Sequence, residues 1–145
     1  MTEVTTVTPE VVEALTALIP QLSSSAPAPT RVEIDDIAAS PATVLLVARD
    51  GQGAIVGSLT LVLFRAPTGP RAWIEDVVVD TSTRGQGIGA ALVHHALDRA
   101  ASAGARTVDL TSRPSRVAAN RLYVRLGFEQ RATNVYRWTS DPTEG

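Results

Sequence analysis

Arg84-Gly85-Gln86-Gly87-Ile88-Gly89-Ala90 joins two runs of opposite character. Before it, Trp73 to Val79 is apolar and strand-like. After it, Ala91 to Ala103 has the apolar spacing of an amphipathic helix. Three alternating glycines between them strip the backbone of side chains, so N–H groups at the start of the helix can approach one ligand closely. The positive end of the helix dipole faces the same way. The stretch reads as an anion cradle, and a diphosphate is the guest that fits it.

Upstream of the cradle, Thr2 to Val7 alternates loosely and suits a first strand. Thr8-Pro9-Glu10 has the chemistry of a helix start, Thr8 as N-cap and Pro9 in the first turn, with Val11, Leu15, Leu18 and Ile19 as one apolar stripe. A break rich in Ser, Ala and Pro over Ser23 to Pro29 precedes a short second helix, Thr30 to Ala39; these two helices and their linker are a place for a substrate lid or simply a layer over the sheet. Two β-rich runs, Thr43 to Arg49 and Ala54 to Arg65, are joined by the hairpin signal Asp50-Gly51-Gln52-Gly53, and a further turn leads into Ala72 to Val79. Downstream, the helix runs to Gly104 and Thr107 to Thr111 is the next strand. Residues 72 to 111 therefore make a β-α-β unit with parallel strands and a right-handed crossover. Ser115 to Leu126 is a last helix closed by Gly127, with Phe128 packing back. Val135 to Trp138 suits a final edge strand, and Asp141 to Gly145 is expected to fray.

The 145 residues suit one domain spanning 1–145, with 44% hydrophobic and 19% charged residues, as in ordinary globular chains. No apolar run approaches a membrane span and no signal peptide is visible, so a cytoplasmic, membrane-free protein is expected. A net charge of -2 gives no general pull towards nucleic acid. Cysteine is absent, which excludes disulfides, thiolate metal sites and a cysteine-acyl intermediate. All 13 basic residues are arginine, which removes the lysine of a Walker-type loop and any lysine Schiff base.

Two diphosphate ligands compete for the cradle. Gly85-x-Gly87-x-x-Ala90 fits a dinucleotide fingerprint, and Asp109 stands where its ribose-binding acid is expected, about 20 residues on. That fingerprint opens a doubly wound sheet, whereas here a meander precedes it and too few residues follow for the remaining β-α units. The other reading includes the arginine. Arg84-x-x-Gly87-x-Gly89 resembles the Q/R-x-x-G-x-G/A motif of the GNAT superfamily of acyl-CoA N-acyltransferases. Ile74-Glu75-Asp76-Val77-Val78-Val79-Asp80 looks like that family's fourth strand, and Ala119-x-x-x-Tyr123-x-x-x-Gly127-Phe128 like its A-x-x-x-Y-x-x-x-G-F signature. The order of elements agrees over nearly the whole chain. The resemblance implies an α+β fold in α/β/α layers: a mixed, mostly antiparallel sheet, splayed between its fourth and fifth strands, with helices on both faces.

It also implies roles. The backbone of Arg84, Gly85, Gln86, Gly87, Ile88, Gly89 and Ala90 would hold the diphosphate of acetyl-CoA, used as co-substrate without a metal. The pantetheine arm would lie along Val77, Val78 and Val79 like an extra strand, with the Val77 N–H donating to the thioester oxygen. Tyr123 would protonate the departing thiolate, and Asn120 would bond the pantetheine or ribose-phosphate arm. Many relatives have an Asn where this chain has Arg116, which weakens the case for Asn120. Glu75 and Asp76 are the carboxylates of the catalytic strand. Alternation puts them on opposite faces, Glu75 with Trp73 and Val77, so Glu75 is preferred as base, directly or through water. A carboxylate that some relatives carry on the fifth strand is replaced by Thr111. On the last helix, Arg116, Asn120 and Tyr123 are expected on a polar stripe and Ala118, Leu122 and Leu126 on an apolar one. His94 and His95 diverge around their helix and suit no shared metal. Arg65, Trp73, Arg113, Asn134 and Tyr136 are candidates for the acceptor pocket.

The function so implied is transfer of an acetyl or other acyl group from acetyl-CoA to a primary amine by direct attack in a ternary complex. An acyl-CoA-binding sensor or partner-binding module of the same fold is the alternative. The acceptor is a small-molecule or peptide amine that no motif names, and a homodimer is an assembly common among relatives.

Overall fold

Thr8 starts the first helix as its chemistry demands: its hydroxyl accepts from the Val11 N–H at 3.4 Å, and Pro9 supplies a residue with no N–H to satisfy. This helix, α1 (Pro9–Leu22), buries Val11, Leu15 and Leu18. Helix α2 (Arg31–Ala39) begins with a capping box. Thr30 accepts from the Glu33 N–H at 3.2 Å, and the Glu33 carboxylate accepts from the Thr30 N–H at 2.9 Å. The backbone bond from Thr30 holds the Glu33 carboxyl below the usual carboxylate range.

The structure, a computed structural model, describes residues 1–140, so the Asp141 to Gly145 tail expected to fray lies outside the described residues. The chain forms two units, Met1–Thr111 and the part from Ser112 onward. In the first, five strands are ordered β1-β2-β3-β4-β5: β1 (Thr2–Glu3), β2 (Thr43–Arg49), β3 (Ile55–Ala66), β4 (Gly69–Val79) and β5 (Val108–Asp109). Neighbours are antiparallel except the parallel pair β4–β5 that closes the β-α-β unit. The β2–β3 hairpin is made by Asp50, whose carboxylate accepts from the N–H groups of Gln52 (2.9 Å) and Ala54 (3.0 Å).

The first strand is shorter than Thr2 to Val7: the Val4 N–H still donates to Leu45 O at 2.8 Å, and Val4 and Val7 join a core with Val11, Leu15, Ile34, Leu45 and Val47. That core binds α1 and α2 to one face of the sheet. The other face receives α3 (Ile88–Ser102), which buries Leu92, Val93, Ala96 and Ala100. Gly57 makes this seat possible. It pairs with Ala48, one position off Val47 and so on the other face, and a Cβ there would stand 3.1 Å from Leu92 and 3.2 Å from Ile88. Helices thus cover both faces of a mixed, mostly antiparallel sheet, which is the expected fold class.

The second unit holds α4 (Val117–Arg125). Val135 to Trp138 forms no strand; Val135, Tyr136 and Trp138 are exposed. Alternating side chains show that a strand would have a face to bury, but a strand also needs a neighbour to receive its backbone bonds. Among the described residues no helix is long and apolar enough to cross a membrane.

Candidate active site

Strand β4 is paired along its length on one side and hardly at all on the other. Residues from Gly69 to Val79 face β3, whereas β5 pairs only with Ala72 and Trp73. The fifth strand was expected over Thr107 to Thr111. Its shortness leaves Ile74 to Val79 without a strand on that side among the described residues.

The same segment carries an irregularity. Glu75 pairs with Thr60 and Val78 with Ser58, so Asp76 and Val77 together stand opposite Leu59. This is a β-bulge, and Asp76 takes a left-handed φ of 51° to make it. The extra residue resets the alternation. Glu75 comes into register with Trp73 on one side and Val78, not Val77, on the other. The expected sharing of a face by Glu75 and Val77 therefore fails, because alternation assumes an unbroken ladder. With Trp73 the pairing holds: its indole N–H donates to Glu75 Oε1 at 2.7 Å. Glu75 is exposed.

Beyond Val79 the chain is fixed from several sides. The Asp80 N–H donates to Val56 O at 2.8 Å, and the Asp80 carboxylate accepts from the Ser82 hydroxyl at 3.1 Å and the Ser82 N–H at 3.5 Å. The hydroxyl bond is the main reason that this carboxyl is held below the usual carboxylate range. The Thr81 N–H donates to Gln21 Oε1 on α1 at 3.0 Å, a tie invisible in the sequence because the partners are so far apart in the chain. After one 3-10 turn, Thr81–Thr83, Arg84 to Gly87 are exposed, and Ile88, Gly89 and Ala90 form the first turn of α3.

Gly85 and Gly87 have φ of 84° and 77°, and a Cβ on either would meet nothing within 4 Å. The glycines are there for the left-handed backbone, and the space before them is open. Gly87 is the N-cap of α3, and no side chain caps that helix. Its first N–H groups are thus left to whatever occupies the open space.

In the second unit Tyr123 is the buried residue of α4, 8% exposed. Burial pushes its phenol above the ordinary tyrosine value, opposed by the charge of Arg116. The expected stripes are rearranged: Ala118 is exposed, while Ala119, Asn120, Leu122 and Leu126 are half-buried around Tyr123. Arg116 is the N-cap residue. The Asn120 amide donates to Arg113 O at 3.0 Å, so its NH2 group already serves the helix start. Ser112 Oγ is buried without a partner, a feature with no sequence signature. No group of three or more His, Cys, Asp or Glu able to hold a metal occurs among the described residues, His94 and His95 included.

The sequence profile of the acetyltransferase (GNAT) family matches residues 11–128. The chain belongs to that family. The matched span includes β4, the glycine loop and α4 with its closing Gly127-Phe128. Among solved structures, a putative acetyltransferase from Agrobacterium tumefaciens is 28% identical with a TM-score of 0.80, over 92% of this chain and 96% of that one. An acetyltransferase from Trypanosoma brucei is 29% identical with a TM-score of 0.73, over 92% and 97%. Glucosamine-6-phosphate N-acetyltransferase from Arabidopsis thaliana shares the fold at 20% identity and a TM-score of 0.74, over 90% and 92%. No curated protein matches the sequence.

Proposed function

We propose that this GNAT acetyltransferase moves the acetyl group of acetyl-CoA directly to a primary amine in a ternary complex. The observation that carries the reading is the unpaired side of β4. Ile74 to Val79 offers an open strand edge with a bulge at Asp76–Val77, and it runs straight into a glycine loop whose helix has no side-chain cap. A pantetheine arm is a flexible chain with two amides, suited to pairing with such an edge, and the diphosphate at its end suits the N–H groups after Gly85 and Gly87.

In this mechanism the loop from Arg84 to Ala90 anchors the diphosphate, and Val77 to Val79 hold the pantetheine. A bulge leaves backbone groups out of the ladder, and the Val77 N–H is the donor assigned to the thioester oxygen; such a donor is worth about 3–4 kcal/mol in the barrier. An alkylamine arrives protonated, with a pKa of about 10, and gives up its proton to Glu75 or to a water that Glu75 holds. The amine nitrogen then attacks the carbonyl carbon, the C–N bond forms, the C–S bond breaks, and the departing thiolate takes a proton from Tyr123. The surplus proton on the new amide nitrogen passes through water to the Tyr123 phenolate. The products are the amide and free CoA. At neutral pH the Tyr123 phenol carries its proton, and burial shifts it further in that direction. Asn120 is assigned to the pantetheine or ribose-phosphate arm through its side-chain oxygen, one N–H of its amide being given to Arg113.

The test is release of free thiol from acetyl-CoA with a panel of amines. Glu75→Gln and Tyr123→Phe are each expected to lower kcat by ~10²-fold or more, within the range of general acid–base catalysis. Wild-type turnover in either variant removes that side chain's role. Tight binding of acetyl-CoA with no turnover on any amine would instead make the protein a sensor.

A further inference from the structure

Helices α3 and α4 end in the same backbone device. In α3 the Ala105 N–H donates to Ala100 O and the Gly104 N–H to Ala101 O, both at 3.0 Å, around Gly104 at a φ of 85°. In α4 the Phe128 N–H donates to Tyr123 O and the Gly127 N–H to Val124 O, again both at 3.0 Å, around Gly127 at 101°. Each is a Schellman motif, in which the residue after the left-handed glycine returns over the helix position that accepts its N–H. In α3 the two residues so joined are both alanine, which is enough to stop a helix. In α4 they are Tyr123 and Phe128, and their rings meet edge to face, with centroids 5.8 Å apart and planes at 66°.

The aromatic pair thus exceeds what helix termination requires. We propose that Phe128 is a positioning residue for Tyr123: the Gly127 turn clamps its ring against the phenol and fixes the direction in which the hydroxyl is presented. The proposal rests on Tyr123 as the proton donor to the thiolate. One turn towards the helix start the neighbours on this face are Ala119 and Asn120, neither of which carries a ring to pack on the phenol. Without Phe128 the phenol loses the ring that meets it edge to face, and a hydroxyl displaced by an ångström loses most of its value as an acid.

The experiment is a double-mutant cycle on acetyl transfer, with Phe128→Leu, Tyr123→Phe and the double variant, each checked by thermal melting. Phe128→Leu is expected to lower kcat about tenfold while the acetyl-CoA KM moves less than about twofold. In the Tyr123→Phe background the same substitution is expected to do almost nothing to kcat. Phe128→Tyr keeps an aromatic edge and is expected to restore most of the rate, which keeps the test decisive if the leucine variant folds poorly. A tyrosinate difference titration, wild type minus Tyr123→Phe, gives a second readout, and its curve should shift in Phe128→Leu. Additive losses, or an unimpaired Phe128→Leu beside an impaired Tyr123→Phe, overturn the positioning role and leave the proton-donor reading standing. Full activity of Tyr123→Phe overturns both.

Discussion

Helices α2 and α3 begin in opposite ways. At α2 the first-turn donors are answered within the chain: Thr30 and Glu33 exchange hydrogen bonds in a capping box. At α3 the N-cap is Gly87 in the left-handed region, with no side-chain bond and no acidic residue in the first turn. A cap like that of α2 contributes stability, whereas a glycine there forgoes it. The difference separates a helix start that serves folding from one whose donors are kept for a ligand. The α3 start is nonetheless firmly held from behind, by Asp80 on Val56 and Ser82 and by Gln21 on Thr81, so rigidity is supplied upstream of the donors.

Substitutions at the two starts should separate these roles. The largest effect is expected for Gly87→Val, which forces a β-branched side chain into a φ of 77°. Strain of about 1–2 kcal/mol there corresponds to about tenfold weaker acetyl-CoA binding, measured by calorimetry, as the loop shifts to relieve it. An unchanged Kd in a folded Gly87→Val protein would break the comparison. Next comes Thr30→Ala, expected to cost about 1 kcal/mol in urea unfolding while leaving the acetyl-CoA Kd where it was. A tenfold change in Kd would show that α2 also serves the donor site.

The smallest effect is one of pH. The Glu33 carboxyl is depressed in the folded state, so its contribution is present above the unfolded value and is lost as pH falls through the folded one. Glu10, depressed chiefly by its hydrogen bond from Arg49, acts in the same direction. Unfolding followed from neutral pH into the acid range should show a shallower loss of stability in Glu33→Gln than in wild type. The first turn of α3 holds no carboxylate to add a matching contribution.

What was legible in the sequence is what neighbouring residues decide among themselves. Thr8-Pro9, Asp50 to Gly53 and Gly127-Phe128 each satisfy their own backbone groups within a few positions, and each sits where its pattern puts it. The alternation argument on β4 failed because a bulge is a property of two strands: Asp76 and Val77 share Leu59, which lies in another part of the chain. The stripe through Ala118 failed for a related reason. On a helix with few strongly apolar residues, periodicity fixes the spacing of the buried face but not its direction, and the face settled on Ala119 and Tyr123. Val135 to Trp138 had the pattern of a strand but pairs with no strand among the described residues.

By itself the sequence determined the glycine loop, the caps at Thr8 and Gly127, the meander and the β-α-β unit that follows it, and the family to which the chain belongs, because spacing along the backbone carries that information. Tertiary structure alone decided that β5 pairs with only two residues of β4, that a bulge interrupts the β4 segment beyond them, and that Trp73 holds Glu75. Those features depend on which distant groups meet, and register between strands is settled only when the sheet closes around its core.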